Sequence, residues 1–242
     1  MSGPGPRLAQ VRALVENEDA APGDQPGIVG RMQRLCRAAS DALTARGVGI
    51  CLIAEVDAQL TVAASGPVTE QVEGLQFALG EGPSLEAHAA RRPVLCSDLR
   101  GSAGTRWPGY VPAVRAYGVR AVFSFPLQIG AARLGAMGVY REVVGGLSDE
   151  HLAQALTFAE VATVELLDSL PAPGGPHRVV QDAVDNRYEV YQAQGMLTVQ
   201  LGVGLVEAMA RMRAYAYAQD RLLGDLARDI LAGRVVLEPD EP

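Results

Sequence analysis

"VRAVFSFPLQIGAARLGAMGVY", residues 119–140, holds two β-rich runs, VRAVFSFPLQ and ARLGAMGVY, that meet near Ile129 and Gly130. Two adjacent strands here set the pattern for the chain on either side. Downstream, Ser148 with Asp149 and Glu150 supplies a cap and early carboxylates for a long amphipathic helix reaching Leu170. Upstream, a helix is expected over Tyr110 to Tyr117, preceded by a loop through TRWPG (105–109) and a short strand from Pro93 to Ser97. The segment LGEGPSLEAHAARR (79–92) opens on glycines and turns helical after Pro83. Further back, GVGICLIAEV (47–56) and LTVAASG (60–66) are two more strands, joined as a hairpin at Asp57, Ala58 and Gln59. Met32, Leu35, Ala39 and Leu43 form one stripe of a helix from Ile28 to about Ala45. Helix, antiparallel strands with helical insertions, and a closing helix make an α+β domain of the sensor type.

PAPGGPH (171–177) ends that domain, because its prolines remove backbone donors and its glycines add freedom. Beyond it no strand pattern returns. Three helical runs follow, separated by QLGVG (200–204) and AQDR (218–221). The expected division is a flexible arm at 1–27, a sensor domain at 28–170 and a linker at 171–178. A three-helix bundle at 179–237 and a tail at 238–242 complete it. The arm, rich in Gly, Pro, Asp and Ala, carries a short amphipathic patch at Leu8, Val11 and Val15, enough for a helical turn or two.

Composition narrows the function. The chain has 242 residues, 48% hydrophobic and 20% charged, as in an ordinary globular protein. No apolar run approaches the roughly 20 residues of a membrane span, and the start has no signal-peptide pattern. Cys36, Cys51 and Cys96 lack metal-ligand spacing and read as reduced, buried thiols, which points to the cytoplasm. All 21 basic side chains are arginine, and the net charge of −7 excludes an indiscriminate nucleic-acid binder. The segment 178–234 holds seven arginines and seven acids, so any nucleic-acid affinity there rests on a local patch.

Projected at 100° per residue, the first run of the bundle puts Val190, Ala193, Leu197 and Leu201 on a core stripe. Beside it lie Arg187, Tyr191, Gln194 and Thr198, with Gly195 at the margin. The second run is expected to bury Leu205, Ala208, Met209, Met212 and Ala216, with Arg213 and Tyr217 on one flank and Arg211 and Tyr215 on the other. The third buries Leu223, Leu226, Ala227 and Ile230. Guanidinium beside phenol suits structured RNA, since loop bases stack on both and phosphates accept arginine's forked donors. Glycine costs about 1 kcal/mol against alanine inside a helix, so Gly195 suggests close approach of a partner backbone. The same residues also fit a plainer account, with solvated or salt-bridged flanks and a glycine that permits tight helix packing.

These motifs resemble two known families. GLQFALGEGPSLEA (74–87), SDL (97–99) followed by RWPGY (106–110), and GVRAVFSFPL with LGAMGVY resemble the GAF family of sensor domains over about residues 28–170. QAQGML (192–197), GVGLVEAMARMRAYA (202–216) and LLGDLARDIL (222–231) resemble the ANTAR family, whose members bind RNA and act as transcription antiterminators. The resemblance implies a GAF-like antiparallel sheet flanked by helices, then a small all-α bundle. It implies a signal-responsive antitermination regulator that binds RNA stem-loops through Arg187, Tyr191, Gln194, Gly195, Thr198, Arg211, Arg213, Tyr217 and Arg221. The other account is a small-molecule-binding module whose helical tail serves dimerisation or protein interaction. Similar ANTAR domains usually carry a basic residue where Gln194 stands, and Gly204 takes the N-cap position where Ser or Asp is common. Similar GAF modules dimerise through their bracketing helices, here 28–45 and 148–170, which predicts a homodimer.

In GAF domains a small molecule, when bound, sits between the sheet and the helical insertions. Gly80, Glu81, Gly82, Pro83 and Ser84 would then line a pocket, with Trp107 packed over its edge. GEGPS is not GxxxxGK[ST], and with no lysine in the chain a P-loop is excluded; a plain turn before a helix fits as well. His88 has no second ligand at metal spacing, and Ser84 has no His and carboxylate in any triad order. The three histidines, His88, His151 and His177, share no motif with a nucleophile, so no enzyme activity is expected. The sequence names no cofactor or ligand.

Overall fold

The computed structural model describes residues 4–53, 59–169, 176–219, 221 and 223–237, with the side chains of 4 and 176–188 outside the described set. The chain divides into two compact units, 1–179 and 180–242. The first contains α1 (Pro4–Asn17), α2 (Gly27–Ala42), β1 (Gly47–Ile53), β2 (Gln59–Ala64), α3 (Pro67–Leu79), α4 (Pro83–Ala90) and β3 (Val94–Cys96). It continues with α5 (Ser102–Arg106), α6 (Tyr110–Ala116), β4 (Ala121–Ile129), β5 (Ala132–Arg141) and α7 (Asp149–Asp168). The five strands form one antiparallel sheet in the order β2-β1-β5-β4-β3. Asp57 and Ala58 of the expected hairpin turn lie outside the described residues, but β1 and β2 pair antiparallel as the hairpin requires.

Strand alternation gives the sheet two different faces. On one, Val48, Ile50, Phe123, Phe125, Met137 and Val139 are all buried, and α2 and α7 pack here. The stripe expected on α2 is fully buried, and a bidentate pair from Arg31 to Glu165 (2.7 and 2.8 Å) ties α2 to α7. Ser148 caps α7 as expected, its hydroxyl accepting from the His151 backbone N–H at 3.1 Å. The opposite face carries Gly49, Cys51, Ser124, Gly138 and Tyr140 toward α3, α4 and α6.

Three expectations change in this unit. The arm is a docked helix: Val11 and Val15 of α1 are buried, and α1 packs on α7 and α2. Arg37 then clamps the following loop, donating to Glu18, to both oxygens of Asp24 and to the Asp19 carbonyl. The patch at Val11 and Val15 marks a helical turn or two in the sequence but not its docking, which also draws on the four hydrogen bonds of one guanidinium. The second change is α3, an additional helix between the first hairpin and GEGPS. Pro67 at its first turn and Gly80 at its left-handed C-cap (φ 67°) are its start and stop signals. The third is α5, a short helix where a loop through TRWPG was expected.

The three expected helices follow: α8 (Pro176–Leu201), which lies in the second unit from residue 180 onward, then α9 (Leu205–Ala218) and α10 (Leu223–Leu231). Pro176 is the first residue of α8, where its missing N–H costs no hydrogen bond. Val190, Ala193, Leu197, Ala208, Met209, Met212, Ala216, Leu223, Leu226, Ala227 and Ile230 are buried as predicted. Leu201 of the expected stripe is only half-buried, and Leu205 is not buried: it directly follows the Gly204 N-cap and is 59% exposed. The apolar period there began one turn before the core.

Candidate functional site

Along α9 the exposed positions Glu207, Ala210, Ala214, Tyr217 and Ala218 recur at helical spacing. The outward face therefore has a floor of alanines. Arg211 and Arg213 stand half-buried on its flanks, and Tyr217, 59% exposed, closes its end. Arg211 is paired with Glu207 one turn earlier, Nη2 to Oε1 at 2.8 Å. Arg221, in the turn after α9, is paired with Asp229 of α10, which also binds Arg234. Those two guanidiniums hold the Asp229 carboxyl below its usual range.

The predicted stripe on α8 separates into different fates. Gly195 is half-exposed, and a Cβ there would meet nothing within 4 Å, so tight helix packing does not explain it. Tyr191 and Thr198 are half-buried, the Thr198 hydroxyl donating to the Gly195 carbonyl of its own helix. The side chain of Arg187 lies outside the described residues. Gln194 requires correction as a contact residue. It is 6% exposed, and its Nε2 donates to the Leu205 carbonyl at 2.8 Å, bridging α8 to the start of α9. The 100° projection placed it beside the core stripe; the approach of α9 turned that margin into interior.

In the first unit the GEGPS segment serves the fold. Glu81 Oε1 accepts from the backbone N–H groups of Gly109 (2.7 Å) and Tyr110 (2.8 Å), capping α6. Gly82, at φ 145°, leads into Pro83, the first residue of α4. Ser84 is fully buried, its N–H donating to Gln76 Oε1 at 2.8 Å and its hydroxyl accepting from Gln76 Nε2 at 3.0 Å. Trp107 is 3% exposed, packed edge-on against Tyr110 with Arg106 over its ring at 4.5 Å. Gly82, Pro83, Ser84 and Trp107 are thus all buried, in an interior that α3 helps to fill against the sheet.

That filling is polar. Glu73 and Gln76 of α3 are fully buried against the sheet. The Tyr140 hydroxyl donates to Glu73 Oε1 at 2.6 Å, and Gln76 Nε2 donates to Oε2 at 3.2 Å. Gly49 and Gly138, paired across β1 and β5, make the notch that receives the carboxyl; a Cβ on either would come within 2.5 Å of Glu73. Burial without a cation pushes the Glu73 carboxyl up to about 7, against the hydrogen bonds from Tyr140, Cys51 and Gln76 that lower it. The sequence signal for this residue was slight, a lone Glu on an unassigned helix. Cys36, Cys51 and Cys96 are free and buried, and burial raises all three thiols. Among the described residues no group of three or more His, Cys, Asp or Glu could hold a metal ion.

Two surface recesses of the first unit lie away from GEGPS. One, about 420 Å³, is lined by residues 21–24, by Gln33 and Arg37, by 61–67 and by Glu70. The other, about 360 Å³, is lined by Arg100, Arg115, Arg120, Glu142 and Val144.

A five-stranded antiparallel sheet between helical layers, followed by a three-helix bundle, defines a sensor joined to an output module. The chain belongs to the GAF domain family: the family model matches residues 30–166, and an ANTAR domain model matches residues 178–231. It is similar in fold to the GAF domain of a phosphoenolpyruvate-protein phosphotransferase from Coxiella burnetii. The two are 17% identical with a TM-score of 0.52, over 68% of this chain and 92% of that one. The GAF domain of an Acinetobacter phosphoenolpyruvate-protein phosphotransferase is 15% identical with a TM-score of 0.51, over 70% and 96%. No curated protein matched the chain. The architecture is that of a regulator, a sensor domain with an RNA-binding type of output domain. Among the described residues no helix is long and apolar enough to cross a membrane.

Proposed function

We propose that this protein is a cytoplasmic, non-enzymatic transcription antitermination regulator whose sensor unit governs the binding of RNA stem-loops by the bundle. The observation that carries this reading is the outer face of α9. An exposed alanine floor at Ala210 and Ala214 lies between Arg211 and Arg213 and ends at Tyr217. Small side chains let a nucleic-acid backbone approach while the flanking guanidiniums take phosphates and the phenol takes a base. Gly195, Tyr191, Thr198 and Arg187 of α8, and Arg221 after α9, are proposed as accessory contacts; Gln194 is not. The decisive experiment is stem-loop binding by the full chain. Arg213→Ala should weaken it about tenfold or more, the worth of one phosphate or base contact. Unchanged affinity in a folded variant would remove the face from consideration.

A second reading has its own support. Val199 (86% exposed), Leu205 (59%) and Val206 (75%) leave large apolar side chains outside around the α8–α9 connection, which suits a protein partner. If no stem-loop binds while Val206→Asp abolishes self-association, the bundle is a protein-interaction module. We also propose a homodimer, on narrower ground than the sequence offered. The stripes of α2 and α7 are covered by the sheet and by α1, leaving Leu14 and Leu156 as exposed large apolar residues on α1 and α7. Light scattering tests it, and a monomeric mass at micromolar concentration would end it.

A further inference from the structure

The recess between Arg100, Arg115, Arg120, Glu142 and Val144 has no part in the sheet-facing interior or in the bundle. Three guanidiniums and one carboxylate line it, in a chain whose net charge is −7. The carboxylates nearby are already engaged. Glu142 is paired with Arg46, and Asp98 holds Arg100 through its Nε and Nη2 at 3.1–3.2 Å. Arg115 and Arg120 are exposed and have no hydrogen bond or ion pair from their side chains among the described residues. Asp98 is shared, since the Arg115 charge also helps lower its carboxyl beside Arg100, and Glu142 is held by Arg46; the arginines of the recess therefore outnumber the carboxylates around them, and a bound anion offsets that excess.

Their backbones are fixed in advance. The Arg120 N–H donates to the Arg141 carbonyl at 2.7 Å, and the Arg120 carbonyl accepts from Leu99 N–H at 2.9 Å. Arg115 lies on α6, and the Gly118 turn (φ 83°), closed by Gly118 N–H to the Arg115 carbonyl at 3.0 Å, sets its offset from Arg120. Arg100 is held by its own N–H to Asp98 Oδ1 at 2.9 Å. Forked donors match phosphate oxygens well, and backbones fixed in advance remove part of the ordering cost of binding. The recess is concave, near the lower end of the range of small-molecule sites, and Val144, 46% exposed, gives it an apolar wall. An anionic head with a compact organic body fits this better than an extended polymer.

We propose that this recess is a binding site for a small phosphate monoester on the sensor unit. The site concerns the first unit alone and stands whether or not the bundle binds RNA. The test is calorimetry on the full chain at low and physiological salt, with inorganic phosphate, adenosine monophosphate and ribose 5-phosphate as probes and adenosine as the uncharged comparison. At least one monoester should bind, more weakly as salt rises, while adenosine does not. Arg115→Ala/Arg120→Ala should lower that affinity at least tenfold with unchanged circular dichroism, Arg120→Gln alone should lower it less, and Arg12→Ala on α1 should leave it unchanged. Absence of binding by every phosphate probe at millimolar concentration overturns the proposal, as does equal affinity in wild type and double variant. Loss of stem-loop affinity in the double variant, with no monoester bound by wild type, also overturns it and assigns the arginines to an RNA backbone.

Discussion

A Cβ added to Gly135 in the sensor sheet would lie 1.9 Å from the Cys51 carbonyl oxygen, whereas one added to Gly195 in the bundle would meet nothing within 4 Å. The contrast extends to their neighbours. Gly49 and Gly138 make room for the buried Glu73 carboxyl, while Gly204 and Gly224 of the bundle face open space. At these sheet positions of the first unit glycine serves the interior, letting strands and a carboxyl approach more closely than any side chain would allow, whereas Gly66, Gly74 and Gly104 outside the sheet face open space. In the second it leaves the surface bare. The glycine notch of the sheet is filled by the chain's own Glu73, and no side chain fills the space beside the bundle glycines.

The strongest way to break this comparison is Gly135→Ala. The clash is with backbone of a neighbouring strand, so relief requires strand separation, and destabilisation should exceed about 3 kcal/mol. Chemical denaturation of the purified variant measures it; a near-neutral effect would mean the sheet is less tightly set than its geometry indicates.

Next in size is the pH response of Glu73. Its carboxyl titrates near 7 in the folded chain and near 4.5 when unfolded. Between those values the folded state holds the extra proton. The stabilisation is therefore complete below pH 4.5, is lost as pH rises to about 7, and changes no further above that. A shift of that size corresponds to about 3 kcal/mol. Denaturation curves from pH 5 to 8 should show the decline, and Glu73→Gln should flatten it.

Gln194→Arg tests a buried amide of the bundle. It would place a charge where 6% of the side chain is exposed and remove the bond to the Leu205 carbonyl. A loss of about 1–3 kcal/mol is expected, with no gain in RNA affinity. A stable variant that binds RNA more tightly would restore Gln194 to the surface.

Smallest is Gly195→Ala. With open space for the methyl, helix propensity alone should raise stability by up to about 1 kcal/mol. If a nucleic-acid backbone docks there, the same methyl should weaken stem-loop binding. Higher stability with unchanged binding would reduce Gly195 to an ordinary exposed glycine.

Much of the fold was legible because the relevant patterns were local. The alternation in β4 and β5, the Ser148 cap and the three apolar stripes of the bundle each depend on residues within a few positions of one another. The α1 docking was not legible, since Val11 and Val15 matter only against α2 and α7. Nor was the role of α3, whose Glu73 and Gln76 look like surface polar residues until the Gly49–Gly138 notch lies beneath them. The GEGPS motif was visible, but its work was not: Glu81 caps a helix 28 residues further along, and Ser84 bonds across to Gln76.

Sequence alone therefore determined the two-domain order, most of the element types and the arginine–tyrosine flanks of α9, because period and propensity are properties of neighbouring residues. The tertiary structure decided which polar side chains are spent and which are offered. Gln194, Ser84 and Glu73 are buried and bonded, while Tyr217 and the arginines at 115 and 120 stand exposed. Burial of a polar group depends on partners distant in the chain, and only packing brings those partners within hydrogen-bonding reach.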